Sequence, residues 1–258
     1  MQTSLFFLLL FLLLAAILSK NFFVWPPKSD QTPLKARHVL SAVVLYFFAT
    51  FLAHVLAAPS SPELIHILVG ITLAFSFLTY IFFLPIEVSR AILFSGDQPI
   101  AHVGKMLLSS LRMWVITTSV TELMGILLNK FLMLSLSLQG VRAQAITEEI
   151  QSRASSDSLI FILSIGILIP IGEELFFRGI LQTFLKGKLG RVWALVMTSV
   201  IFALSHIEHS LGSLVFIPIL FVFSLCAGFL YEKERNILAP IFLHVLYNLT
   251  SLGLLFLG

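Results

Sequence analysis

The segment that decides the fold is SLIFILSIGILIPIGEELFFRGILQTF, from Ser158 to Phe184. It is mostly apolar and long enough to cross roughly 30 Å of hydrocarbon, because a helix rises about 1.5 Å per residue. The stretch GEELFFRG nevertheless places two adjacent carboxylates and an arginine inside it. A charged side chain at mid-membrane costs at least about 2.5–3.5 kcal/mol, so such groups usually face a cavity or a partner. The segment therefore predicts both a membrane span and a functional site.

The composition of the whole chain is that of a membrane protein. Of its 258 residues, 58% are hydrophobic and 11% are charged, and the mean hydropathy is +1.02. Lipid forces backbone polar groups to be satisfied within each segment, so long apolar segments predict helices. We expect an all-α, polytopic membrane protein with about eight transmembrane helices. The predicted spans are 3–20, 38–58, 64–86, 107–128, 158–184, 192–208, 212–231 and 238–257.

One long polar stretch divides the chain into two groups of spans. Residues 1–138 hold about four predicted helices without a recognisable motif. Residues 139–157, QGVRAQAITEEIQSRASSD, form the polar connection, and residues 158–258 hold the four spans that carry the candidate chemistry. Pro170 removes a backbone donor within this second group and predicts a kink just before Glu173.

The distribution of basic residues predicts the orientation. The net charge of +3 comes from 16 Lys and Arg against 13 Asp and Glu, and most of the basic residues follow the odd-numbered spans. The positive-inside rule then places those connections in the cytoplasm and both termini outside. We find no nucleic-acid motif, and the lack of a retrieval or transit signal favours a bacterial-type cytoplasmic membrane. The first span is expected to be retained, with a cleaved signal peptide as the alternative.

The single cysteine, Cys226, excludes an internal disulfide and a cysteine-ligated metal cluster.

Helical spacing divides the three charges of GEELFFRG. Glu174 and Arg178 are four residues apart and lie one above the other on a helix, so they can form a buried ion pair. Glu173 lies about 100° around the helix and has no obvious cation nearby in the sequence. Glu173 is therefore the candidate general base.

Two other polar sets occur at a matching depth. Glu173 precedes Lys186 by 13 residues and His206 in FALSH follows Arg191 by 15, so both lie about 20 Å from the cytoplasmic boundary. His244 and Asn248 in HVLYN lie four residues apart and share one helix face. These residues, distant in sequence, are expected to converge on one layer.

Such a group suits two kinds of hydrolysis. A carboxylate and an imidazole can activate a water molecule, while a second imidazole and an amide can stabilise the oxyanion of an attacked carbonyl. The same residue types can bind zinc, with Glu173, His206 and His244 as the ligands. No H-E-x-x-H motif occurs, and Glu174 is assigned to Arg178, so we favour a mechanism without a cofactor and leave zinc open.

The motifs EELFFR, FALSH and HVLYN, in this order, resemble those of the CPBP family. This family contains CAAX prenyl endopeptidases, bacteriocin-processing and self-immunity proteins, and abortive-infection proteins. The resemblance covers about residues 158–252. It implies an intramembrane protease acting on a peptide or protein that is lipidated in some cases, and a glutamate mechanism although members are often labelled metalloproteases. The residues it assigns to catalysis are Glu173, His206, His244 and Asn248, with support from Glu174, Arg178 and Phe202.

Several structural roles and two alternative functions stay open. Phe202 can simply pack under His206, and Asn248 can simply bond a neighbouring helix, as intramembrane amides do. Glu122, in the fourth span with Arg112, is expected to be structural or to line a cavity. Intramembrane acids and imidazoles also build proton paths, so an ion- or proton-coupled transporter is an alternative function. A non-catalytic immunity or scaffold protein of the same fold is a further alternative function.

Overall fold

The computed structural model describes residues 2–27, 32–57, 62–94, 103–135, 158–207 and 213–257. Across these residues the regular structure is entirely helical, in agreement with the predicted all-α class. The polar connection at 139–157 lies outside them. The helices are α1 (Gln2–Ser19), α2 (Ala36–Ala57), α3 (Pro62–Phe83), α4 (Ile86–Leu93), α5 (Val103–Ser135), α6 (158–189), α7 (Arg191–Leu204), α8 (Ser213–Glu234) and α9 (Leu238–Leu257).

The long helices have the apolarity of membrane spans. Four segments are long and apolar enough to cross a bilayer, and they lie in α2, α3, α5 and α8. Shorter apolar helices occupy Leu8–Ser19, Arg191–Leu204 and Leu238–Leu254. Large apolar side chains cover the outside, as at Phe82 and Phe83, which are 80% and 79% exposed. The chain is therefore an integral membrane protein, and the number of eight spans stays a prediction.

Helix α6 lies at the centre of the helical packing. It contacts α3 from the N-terminal group and α7, α8 and α9 from the C-terminal group. On the other side of the molecule α5 packs against α1, α8 and α9, and Trp114 meets Phe11 edge to face at 6.2 Å. The charged segment of α6 is thus surrounded by helices from both halves, and these helices can supply polar partners for its charged side chains.

Two π-helical segments interrupt α6. They span Ser164–Leu168 and Leu175–Gln182, and the α-helical segment Ile169–Glu174 between them carries both glutamates. Such widened turns often mark functional sites and are one recognised cause of helix kinks. The first ends at Leu168, two residues before Pro170, and the predicted kink just before Glu173 stays a prediction.

Asn248 completes the backbone hydrogen bonding of this first π segment. The N–H of Ile169 donates to the carbonyl of Ser164, five residues back. In the same pattern the next carbonyl, that of Ile165, would accept from residue 170, but Pro170 has no N–H. The Nδ2 atom of Asn248 donates to the Ile165 oxygen at 2.9 Å instead. A side chain of α9 therefore supplies the hydrogen-bond donor that Pro170 lacks in α6.

Two helix ends differ from the predicted span boundaries. Helix α6 continues to Leu189, so Lys186, which the charge pattern placed in a connection, is a buried helical residue. Its Nζ atom lies 2.9 Å from Oε1 of Glu232 on α8, and this partner makes its burial tolerable. Helix α7 ends at Leu204, so His206 lies in a turn just beyond the helix and not within a span.

Basic residues from two connections of the C-terminal half meet the segment that follows α1. Arg191, at the start of α7, donates to the carbonyl of Pro26 at 2.7 Å. At the end of α8, Lys233 donates to the carbonyl of Phe22 at 2.8 Å. These contacts place the connections after α1, α6 and α8 at one end of the molecule. This agrees with their assignment to one side of the membrane, while the direction of insertion stays a prediction.

Candidate active site

The carboxylate of Glu173 lies between two imidazole rings. Its Oε1 atom is 3.6 Å from Nε2 of His206, and its Oε2 atom is 3.8 Å from Nε2 of His244. The three residues come from α6, from the turn after α7 and from α9. The depth argument from the sequence therefore correctly brought together residues that are far apart along the chain.

The backbone of α7 fixes the orientation of the His206 ring. Its Nδ1 atom lies 2.7 Å from the carbonyl oxygen of Phe202, four residues earlier. A carbonyl can only accept a hydrogen bond, so Nδ1 must carry the proton. The other nitrogen, Nε2, therefore faces Glu173 and is free to exchange a proton.

His244 is oriented in the same way by a side chain. Its Nδ1 atom lies 2.7 Å from Oε1 of Glu174, whose ionised form only accepts hydrogen bonds. Nε2 of His244 therefore also faces Glu173. The sequence interpretation missed this contact, because spacing within α6 assigns Glu174 to Arg178 alone. No signal in the sequence gives the register of α9 against α6.

Glu174 and Arg178 form the expected ion pair. The Nη1 and Oε1 atoms are 3.0 Å apart, and both side chains are fully buried. Arg178 also donates from Nη2 to the hydroxyl of Ser224 on α8 at 3.0 Å, and its guanidinium lies 4.7 Å from the centre of the Phe202 ring. The sequence interpretation missed Ser224, although an isolated serine in the apolar stretch LFVFSLCAGF was a usable signal.

Aromatic rings enclose the polar groups. Phe202 is fully buried and lies with its ring centre 5.0 Å from Phe177 and 4.7 Å from His206. Phe223, whose ring centre is 5.9 Å from that of Phe202, lies 4.6 Å from the ring of His244. These contacts agree with the packing interpretation of Phe202, and they create a low-dielectric wall that strengthens electrostatic interactions inside the cluster.

Asn248 lies four residues after His244 on α9 and makes a hydrogen bond to α6. Its bond to Ile165 matches the alternative in which the amide joins two helices. An amide nitrogen carries two hydrogens, so one N–H group is not committed by that bond. Glu122, by contrast, lies on α5 with an exposed side chain and takes no part in these contacts.

The cluster opens at His206. The side chains of Glu173 and His244 are only 9% and 5% exposed, whereas that of His206 is 32% exposed. A molecule approaching Glu173 therefore meets the imidazole of His206 first.

Zinc ligation by Glu173, His206 and His244 stays a prediction. Among the described residues, no group of three or more His, Cys, Asp or Glu side chains is arranged to hold a metal ion.

Comparison with known families identifies the region that contains this cluster. Residues 155–250 match the family model described as type II CAAX prenyl endopeptidase Rce1-like. This region of the chain is similar to the Rce1-like family. The matched region covers all of the candidate site residues, from Glu173 on α6 to Asn248 on α9, and agrees with the resemblance that the three motifs indicate.

A curated relative matches part of the chain. It is an uncharacterized 24.3 kDa protein of Escherichia coli, 30% identical over 112 residues. The match covers 43% of this chain and 50% of the relative, so the chain spans about half the length of the curated relative it matches. No solved structure matches the chain.

Proposed function

We propose that this protein is an intramembrane endopeptidase that hydrolyses a peptide bond with a water molecule activated by Glu173 and His206. The observation that carries the proposal is the position of the Glu173 carboxylate between two imidazoles whose Nδ1 atoms are both held by acceptors. The similarity of residues 155–250 to the Rce1-like family supports peptidase chemistry.

The spacing between Glu173 and His206 suits a bridging water. A distance of 3.6 Å is too long for a direct hydrogen bond, yet one water oxygen can contact both atoms. Glu173 accepts a proton from this water as the water oxygen forms a bond to the peptide carbonyl carbon. The proton then passes from the Glu173 carboxyl to the leaving amine as the C–N bond breaks. The Glu173 carboxylate and the His206 imidazole thus return to their starting protonation states.

The oxyanion that forms in the first step needs hydrogen-bond donors. We assign Nε2–H of His244 and the uncommitted N–H of Asn248 to this function. His244 donates from Nε2 only as an imidazolium, because its Nδ1–H is directed at Glu174. Glu174 therefore has a clear supporting function, which is to stabilise the doubly protonated ring.

The charges of the cluster are consistent with that assignment. Glu173 and Glu174 bring two negative charges, and Arg178 brings one positive charge. A single imidazolium makes the buried group neutral, which avoids the cost of an uncompensated charge in an apolar surrounding. We therefore assign the single imidazolium to His244 and leave His206 neutral.

The opening at His206 and the lipid-facing surface favour a substrate that lies in or at the membrane. We propose a peptide segment of a membrane-associated protein, with a lipidated C-terminal peptide as the first substrate to test. The bacterial-type cytoplasmic membrane, with both termini outside, remains the proposed location.

The test compares peptide cleavage by wild type, Glu173→Gln and His206→Ala in lipid nanodiscs, using a prenylated CAAX peptide and an unlipidated peptide library. His54→Ala is the matched histidine control, because its Nδ1 also lies 2.7 Å from a carbonyl four residues earlier on its own helix. We expect both site variants to lose cleavage and the control to keep it. Cleavage that survives both substitutions would overturn the mechanism, and loss on chelation with recovery on adding zinc would require a metal.

A further inference from the structure

Three polar contacts join α6 to α8 at regular intervals. Arg178 Nη2 donates to the Ser224 hydroxyl at 3.0 Å, and Gln182 Nε2 donates to the Gly228 carbonyl at 3.0 Å. The third is the ion pair between Lys186 and Glu232, at 2.9 Å. We call these three contacts the α6–α8 ladder.

The spacing of the α6–α8 ladder fixes how the two helices meet. Successive contacts advance by four residues on each helix, so all three lie on one face of α6 and one face of α8. Both helices advance in the same direction, and a shift of α8 by one residue would break every contact. Buried polar and ionic contacts are best attested in this use, where they specify register.

The ladder ends at the candidate active site. Arg178 is the first α6 residue of the ladder and also the ion-pair partner of Glu174, which in turn accepts a hydrogen bond from Nδ1 of His244. A chain of contacts therefore runs from Ser224 through Arg178 and Glu174 to the imidazole that faces Glu173. Helix α8 itself supplies none of the residues assigned to catalysis.

We propose that Ser224 is a positioning residue, which sets the orientation of His244 by fixing the guanidinium of Arg178 against Glu174. The inference rests on the proposed function where it concerns turnover. Catalytic groups must be held to within about 0.5 Å, and a long flexible arginine needs a fixed contact to hold its partner that well. The ring of Phe202 restrains the guanidinium plane from one side, and the Ser224 hydroxyl fixes its rotation within that plane.

The test uses a graded series at one position. Ser224→Thr keeps the hydroxyl, and Ser224→Cys keeps the volume with a weak acceptor. Ser224→Ala removes the hydroxyl and leaves Nη2 of Arg178 only the longer contact, 3.4 Å, to the backbone oxygen of residue 224. Ser199→Ala is the matched control, since Ser199 is also buried but donates to Leu195 O on its own helix. The first readout is the ¹⁵N and ¹H chemical shift of Nδ1–H in His244, which needs no substrate. The second is kcat and KM for peptide cleavage across a pH series.

We expect the His244 signal to move in the order Thr, Cys, Ala, with Thr close to wild type and Ser199→Ala unchanged. We expect kcat to fall about 10-fold in Ser224→Ala, with KM changed less than about 2-fold and the pH profile displaced. A His244 signal in Ser224→Cys and Ser224→Ala identical to that of Ser199→Ala would overturn the inference. If wild type cleaves no peptide, the proposed function fails, while the His244 signal still decides the positioning of this ring by Ser224.

Discussion

The Nδ1 atom of His244 lies 2.7 Å from Oε1 of Glu174, so the second glutamate of the EE pair orients the imidazole that faces the first. Glu174 therefore joins two interactions, one with Arg178 on its own helix and one with His244 on α9. In the proposed mechanism the adjacent glutamates have separate tasks. Glu173 accepts and returns the proton, and Glu174 positions His244 and Arg178.

Replacing Glu174 with Gln tests this division of tasks. Because the amide has no charge, it supports an imidazolium at His244 poorly and leaves Arg178 without its counter-ion. We expect kcat to fall about 10–100-fold, the range known for groups that orient metal-binding histidines. The measurement is peptide cleavage in nanodiscs, with Glu87→Gln on the exposed face of α4 as the control. Equal rates for the two variants would contradict the assignment.

Replacing Asn248 with Ala separates its two possible tasks. Loss of the bond to Ile165 leaves a carbonyl of α6 without its donor, and we expect the free energy of unfolding to fall by about 1–3 kcal/mol. A donor to the oxyanion would in addition lower kcat of the folded protein by about 10²-fold or more. Thr250→Val is the control on the same helix, since Thr250 accepts a hydrogen bond from Trp114 at 3.0 Å. Reduced stability with an unchanged kcat would leave Asn248 a purely structural residue.

The buried pair at the lower end of the α6–α8 ladder has a clear energetic signature. Lys186→Met leaves the buried Glu232 carboxylate without its cation, so we expect the free energy of unfolding to fall by about 3–5 kcal/mol. The double variant Lys186→Met with Glu232→Met replaces both charges and is expected to recover most of this loss. Denaturant titration in detergent micelles measures both, with Lys188→Met at an exposed position of α6 as the control. A double variant no more stable than the single one would show that the pair itself is needed.

The close approach of α6, α7 and α8 makes Gly228 sensitive to any side chain. A Cβ atom at this position would lie 2.4 Å from Leu195 Cδ1 and 2.6 Å from Gln182 Oε1. We expect Gly228→Ala to lower the free energy of unfolding by about 1–3 kcal/mol through overpacking. At Gly104, on α5, a Cβ would meet no heavy atom of the described residues within 4 Å, so Gly104→Ala is expected to be neutral or stabilising. Thermal unfolding of both variants gives the comparison, and equal melting temperatures would refute it.

Much of this fold follows from the sequence because the patterns that predict it lie within single helices. Apolar segments of span length give the helices, and four-residue spacing gives the Glu174–Arg178 pair. Counting residues from basic boundaries placed Glu173 and His206 in one layer, although His206 proved to lie just beyond the end of α7. A rise of 1.5 Å per residue allows a depth to be read directly from the sequence.

Other features needed the packed structure. The π segments of α6, the donation from Asn248 to Ile165 and the contact between Glu174 and His244 depend on how helices face each other. The sequence specifies angles and heights within one helix, but it does not specify the rotation and register of one helix against another. Those are decided by the packing of many side chains at once. By itself, then, the sequence determined a helical membrane protein with an acid and imidazoles at one depth, and only the tertiary structure decided which nitrogen faces which carboxylate.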